Sequence, residues 1–132
     1  MKPITVMVTA SGAPGTAALL RALRENGERE VRLVGTDMSA QSIGRHLCDS
    51  FHVVPPGSDA EFAEAMLEIC TRELVDAVLP QSSFDLLGLA EAKERFEAAV
   101  MVSSPQAIRR SNDKAETYAM LDAIGVRGPA WR

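Results

Sequence analysis

The sequence is poor in the residues that build several common sites. Its two cysteines, Cys48 and Cys70, stand alone with no C-x-x-C spacing. That suggests neither a disulfide framework nor a zinc site and makes a reducing, cytoplasmic setting the expectation. The two histidines, His46 and His52, have no acids at metal-ligand spacing, and His52 reads as a packed or edge histidine of a short strand. Aromatic residues are 5% of the chain. Trp131 and Tyr118 lie in no basic stripe, so they read as packing residues rather than a base-stacking platform. The net charge of -4 with scattered Lys and Arg argues against nucleic-acid binding, which needs a basic face. No apolar run reaches roughly 18 residues, so no membrane span is expected. Met1-Lys2-Pro3 leads straight into an apolar strand, so no secretory leader is expected.

What the chain does have is core. At 132 residues and 46% hydrophobic content, it is one domain's worth of chain, able to bury about two thirds of its extended surface. The near-continuous apolar run Ile4–Thr9 predicts a strand covered on both faces. A helix follows from about Gly15 to Glu25, with Leu19, Leu20 and Leu23 as its stripe and Asn26-Gly27 as its stop. Further strands are expected at Val31–Thr36, Phe51–Val54, Ala77–Leu79 and Ala99–Val102. Between them, Ser39–Leu47 reads as a short helix or irregular crossover anchored by Ile43 and Leu47. Asp59–Glu73 reads as a helix capped by Ser58 with Glu61 at capping-box spacing, and Phe84–Phe96 as another. Ser104-Pro105 opens a short helix to about Arg110, and Asn112 caps a last one over Asp113–Ile124. This alternation predicts an α/β fold: a three-layer α/β/α sandwich, Rossmann-like, around a parallel sheet of about five strands.

The stretch Thr9-Ala10-Ser11-Gly12-Ala13-Pro14-Gly15-Thr16 joins the first strand to the first helix. Gly12 and Gly15 permit either a nucleotide or anion site at a helix N-terminus or a close βα turn with no ligand. Ala10 stands where a dinucleotide fingerprint wants its first Gly, and no Gly-Lys-Ser/Thr ending is present. Asp37, at the end of the second strand, is either an acceptor for a ribose 2′-OH or the acid that ends the strand in a turn. Gln81, Ser82 and Ser83 follow the fourth strand, at the edge where open α/β sheets bind ligands.

Taken in order, Val8–Thr16, Gly35-Thr36-Asp37, Gly44-Arg45, Phe51–Gly57, Val75–Pro80 and Ser103-Ser104-Pro105 resemble the landmarks of one family. It is the N-terminal, pre-ATP-grasp domain of ATP-grasp ligases related to the carbamoyl phosphate synthase large subunit. Asn112-Asp113-Lys114, then a helix, then Ile124-Gly125-Val126-Arg127-Gly128-Pro129 resembles the passage into that family's ATP-grasp domain. Departures are Ala10 and Ala13 where Gly is commoner, and Gly128 just before Pro129.

The resemblance divides the chain into a pre-ATP-grasp domain, 1–111, and a linking helix with the start of an ATP-grasp domain, 112–132. It implies an enzyme that activates a small-molecule carboxylate with ATP and Mg2+ as an acyl phosphate, which an amine acceptor then attacks. The main ATP and Mg2+ sites of such enzymes lie C-terminal to Arg132, so the fragment itself is expected to be non-catalytic. Its expected partner is its own C-terminal ATP-grasp domain. An exposed sheet edge or the tail leaves room for a homodimer of the isolated chain. Lys114 is the residue the resemblance places toward the ATP phosphates; the alternative is a surface Lys in a first helical turn. Gln81, Ser82 and Ser83 would face the acceptor substrate. Two other readings are a stand-alone nucleotide- or small-molecule-binding Rossmann-like domain and an NAD(P)-binding reductase-like domain. The latter wants Gly at Ala10 and a Tyr-x-x-x-Lys pair, whereas Asp122 stands four residues after Tyr118.

Overall fold

The computed structural model describes residues 1–128; Trp131 lies outside them. The apolar runs become β1 (Ile4–Val8), β2 (Val31–Asp37), β3 (Ser50–Val53), β4 (Ala77–Leu79) and β5 (Ala99–Val100). The helices are α1 (Thr16–Arg24), α2 (Gly44–Leu47), α3 (Phe62–Glu73), α4 (Ser83–Ala92), α5 (Pro105–Asn112) and α6 (Lys114–Ala123). All pairings are parallel, in the order β3-β2-β1-β4-β5. After β3 the chain crosses back past β1 to place β4 on its other side. The switch point therefore lies between β1 and β4, and the predicted α/β class holds.

Alternation along β1 and β2 divides the core between two faces. Val6, Val8, Val31 and Leu33 join Leu20 of α1, with Leu47 and Cys48 packed against them. Met7, Val34 and Val78 face the other way, onto Phe62, Met66 and Ile69 of α3 and Leu89 of α4. Every strand side chain in these sets has a helix above it, as a doubly covered parallel sheet requires. Burial pushes the Cys70 thiol to about 12 and is the main cause that lifts Cys48 to about 11, so both remain protonated packing residues.

Local expectations needed correction at several ends. Ser58 and Glu61 form no capping box: α3 begins at Phe62, and Asp59 Oδ1 accepts instead from the Glu61 N–H at 2.8 Å. Asp59 is already fixed in a turn by its own N–H to the Pro56 carbonyl, 2.8 Å, so its carboxylate reaches the donor first. Asn112 does not cap α6 either. Asp113 Oδ1 accepts from the Ala115 and Glu116 N–H groups, while the Asn112 amide donates to the Ser83 carbonyl at 2.9 Å. Ile43 is no anchor, being 50% exposed. The Phe84–Phe96 helix divides into α4 and a tighter turn over Lys93–Arg95. His52 is an edge residue as expected, with Nε2 2.6 Å from Glu73 Oε1 and Nδ1 3.2 Å from the Arg72 guanidinium.

The end of α3 carries a cost. Val75 N–H donates to the Cys70 carbonyl at 3.0 Å, a Schellman closure that puts Leu74 at φ +54°, with 80% of its surface exposed. A side chain there pays for the left-handed conformation and packs on little. Leu74→Gly is expected to raise stability by about 1 kcal/mol, or roughly 4 °C in Tm, measured by thermal unfolding. No change or a loss would contradict this account.

Candidate functional site

The residues that follow β1 to β4 converge at the carboxyl edge of the sheet. Beyond Val8 the ladder persists for one bond, Thr9 N–H to the Leu79 carbonyl at 3.1 Å, and then the chain turns. Ala10 adopts φ +45°, so the place that a fingerprint reserves for Gly keeps its backbone demand without the Gly. The turn satisfies itself: Ser11 N–H donates to Thr36 O, Ala13 N–H to Ala10 O and Thr16 N–H to Ala13 O. Gly12 N–H donates to Asp37 Oδ2 at 2.8 Å. The other oxygen of Asp37 accepts from Ser39 N–H at 2.9 Å. Asp37 is thus the turn acid that ends β2, and it also ties down the glycine loop. A Cβ at Gly12 would lie 2.7 Å from Ser42 Oγ, so close packing of two loops accounts for glycine there.

These loops enclose a cleft of about 870 Å³, within the size range of small-molecule sites. Gly12, Asp37, Gln81, Ser82 and Ser83 all line it; the structure brings five of the sequence-derived candidates together. Gly15 and Lys114 lie outside its lining. Gly15 sits at φ +89° at the N-cap of α1. Lys114 is exposed at the start of α6 and makes no ion pair among the described residues. The hydrogen bond from Asn112 to Ser83 holds the α5–α6 junction to the cleft wall, two positions before Lys114.

The residue that sequence reasoning missed is Asp85. It stands in the first turn of α4 after the N-cap Ser82, whose Oγ accepts from Phe84 N–H. Ser82-x-x-Asp85 has capping-box spacing, a signal present in the sequence. The side chain turns inward instead, and Asp85 Oδ2 accepts from Thr9 Oγ1 at 2.6 Å, which joins β1 to α4 across the switch point. Asp85 is only 8% exposed, yet it lines the cleft.

Burial lifts the Asp85 carboxyl above the usual carboxylate range; the Thr9 hydrogen bond opposes the rise and the Asp37 charge adds to it. Its neighbours at the cleft are Asp37 and no basic side chain among the described residues. At about 5 Å and an effective dielectric constant near 20, one charge pair is worth roughly 3 kcal/mol. The sign of a ligand's charge therefore decides whether it is welcome.

The fold and cleft define a doubly wound α/β domain with a ligand-sized opening at its switch point, the position such sheets use for binding. The chain belongs to the family described as PylC-like, N-terminal domain, which it matches over residues 6–103. A comparison with curated proteins returns no match. Among solved structures it is similar to glycinamide-RNase-transformylase T from Mycobacterium tuberculosis. There the TM-score is 0.68 and the identity 19%, over 92% of this chain and 35% of that one. N5-carboxyaminoimidazole synthetase from Staphylococcus aureus, complexed with ADP, gives 0.68 and 15%, over 92% and 30%. L-amino acid ligase from Bacillus licheniformis gives 0.75 and 13%, over 96% and 32%. The chain thus spans about a third of the length of these structures, and at such identities the likeness is one of fold.

Two outcomes test the site's construction. A Cβ at Gly57 would lie 2.5 Å from the Phe84 carbonyl and 2.6 Å from Asp85 Oδ1. Gly57→Ala is expected to cost about 1–3 kcal/mol by overpacking α4 against the loop, read by denaturant unfolding; a neutral result would show that the cleft yields. Asp85→Asn keeps an acceptor for Thr9 and removes a buried charge. An acid whose native pKa is raised costs nothing below the ordinary carboxylate range. The cost builds as pH rises from there through the native pKa. Asp85→Asn should therefore raise Tm at pH 7 and lose that gain near about pH 3; an equal gain at both would exclude titration as the cause.

Proposed function

We propose that this chain is the N-terminal part of a cytoplasmic ATP-grasp carboxylate–amine ligase, with residues 112–132 leading into the ATP-grasp domain. The observation that carries the reading is the family match over 6–103, on a fold shared with proteins named as an L-amino acid ligase and a synthetase complexed with ADP. In this reading a substrate carboxylate takes the γ-phosphoryl of ATP, giving an acyl phosphate and ADP. An amine then attacks the acyl carbon, phosphate leaves and an amide forms.

The cleft supplies one wall of the reaction space, with Gln81, Ser82 and Ser83 turned to the acceptor. Lys114 is the point charge toward the ATP phosphates. Its support is placement: it starts α6 beside a junction bonded to the cleft residue Ser83 and makes no ion pair among the described residues. Gly12, Gly15 and Asp37 shape the loop that borders this space, a weaker claim on the nucleotide, since the Gly12 N–H is already bonded to Asp37. Mg2+ when bound offsets charge on the phosphates. Among the described residues no group of three His, Cys, Asp or Glu is placed to hold it, so its ligands are assigned to the ATP-grasp part. The NAD(P) reading has less support, because Ala10 stands where the fingerprint wants its first Gly and Asp122, not Lys, stands four residues after Tyr118.

The test is phosphate release from ATP, with Mg2+ and panels of carboxylates and amines, by a protein carrying this domain followed by an ATP-grasp domain. Release by that protein, none by residues 1–132, and a loss of at least tenfold in Lys114→Ala are expected. Turnover undiminished by Lys114→Ala would remove its role. No release with any pair, together with small-molecule binding by 1–132, would favour the stand-alone binding domain.

A further inference from the structure

The cleft's charge and its spent donors together identify what it can take. A phosphate or carboxylate needs N–H groups or cations. Here the N–H groups of Ser11, Gly12, Ala13 and Thr16 are bonded within the protein, and no Lys, Arg or His among the described residues lines the opening. The opening also carries the hydroxyls of Ser39, Ser58 and Ser83, which donate or accept, but its charged groups among the described residues are carboxylates alone. Asp85 is more than nine-tenths buried, and with Oδ2 bonded to Thr9 its Oδ1 has no hydrogen-bond partner among the described residues. Asp37 stands across the same cleft with each oxygen accepting one bond, and a carboxylate oxygen can accept a second.

The opening is rimmed by apolar surface. Phe84 is 78% exposed, Met38 67% and Ile43 50%, and all three line it. An ammonium bound at Asp85 would bring its alkyl chain against them. A bare metal ion would use none of that surface.

We propose that this cleft binds the protonated amine of a small alkyl-amine ligand, held at Asp85 Oδ1 with Asp37 as the second carboxylate, and that it excludes phosphate. Naming that ligand as the acceptor rests on the ligase reading above; the binding itself does not. In that reading the cleft recognises the acceptor as its ammonium, which gives a proton to the Asp85 carboxylate before the free amine attacks, while ATP phosphates are met outside it, on the Lys114 side.

The experiment is an amide NMR titration of 15N-labelled chain 1–132 at pH 7 with n-butylamine, and separately with inorganic phosphate, n-butyrate and Mg2+. The reporters are Gly12 and the amides of residues 81–85. Butylamine is expected to give saturable shifts there in the millimolar range, fitting so few atoms, at least tenfold tighter than phosphate or butyrate. Asp85→Asn, its fold checked by its own spectrum, should weaken binding at least tenfold, and Asp37→Asn severalfold. Phosphate saturating the same amides more tightly, Mg2+ matching butylamine, no saturable shift with butylamine, or an unchanged affinity in Asp85→Asn would each overturn the proposal. Phosphate release by the longer protein without amine binding here would sink this site and leave the ligase. Amine binding without any turnover would do the reverse.

Discussion

The bond from Thr9 to Asp85 is the contact on which the carboxyl edge of this domain depends. In a doubly wound sheet the strands on either side of the switch point send their helices to opposite faces, so the loops above that point part and leave an opening. Something has to fix its width. Thr9 directly follows β1, Asp85 lies in the first turn of α4, and a 2.6 Å hydrogen bond spans the gap. The backbone N–H of Gln81 approaches the same hydroxyl at 3.4 Å. One side chain thereby sets β1, the β4 loop and the start of α4 in register. Position at the N-terminal turn of a helix partly offsets the burial of this acid.

On the other side of the opening the same work is done by Asp37. A carboxylate that bonds Gly12 and Ser39 holds two loops together and uses the amides that might have met an anion. The two acids differ in what remains. Asp37 has both oxygens engaged, whereas Asp85 keeps one oxygen unpartnered among the described residues. A loop that looks phosphate-binding by composition is therefore an acceptor-rich wall by geometry. Composition reports which residues allow close approach; hydrogen bonding decides which group has approached.

Most of the architecture was legible in the sequence. The strands announce themselves as short apolar runs cut off by Pro55, Pro80 and the glycine loop, and the helices by stripes such as Leu19, Leu20 and Leu23. The strand order was not, because it depends on which edge β4 joins after α3, a choice made by packing between distant parts of the chain. Caps failed where two candidates competed: Asp59 and Asp113 reached donors that Ser58 and Asn112 were expected to take. Five members of the site were visible as residues after strand ends. Asp85 was not, since on a helical wheel Phe84 looks like the inward residue, yet Phe84 is exposed and Asp85 buried. Propensity cannot foresee that reversal; a tertiary partner, Thr9, produces it.

Leu74 apart, the energetic costs of the fold gather at this same edge. Ala10 sits in a left-handed conformation that costs a non-glycine residue about 1–2 kcal/mol. Asp85 is a largely buried acid, and the buried hydroxyls of Thr16 and Thr36 have no hydrogen-bond partner among the described residues. Each of these is unfavourable by itself. None lies in the two apolar clusters, where Met7, Leu33, Phe62, Met66 and Leu89 are almost wholly buried. The sheet's faces hold the domain together and its carboxyl edge draws on that stability. Sequences break local rules where a function needs the exception. Here the exceptions lie at or near an opening that joins four strand ends, which is why its acids, and not the glycines beside them, carry the recognition argued above.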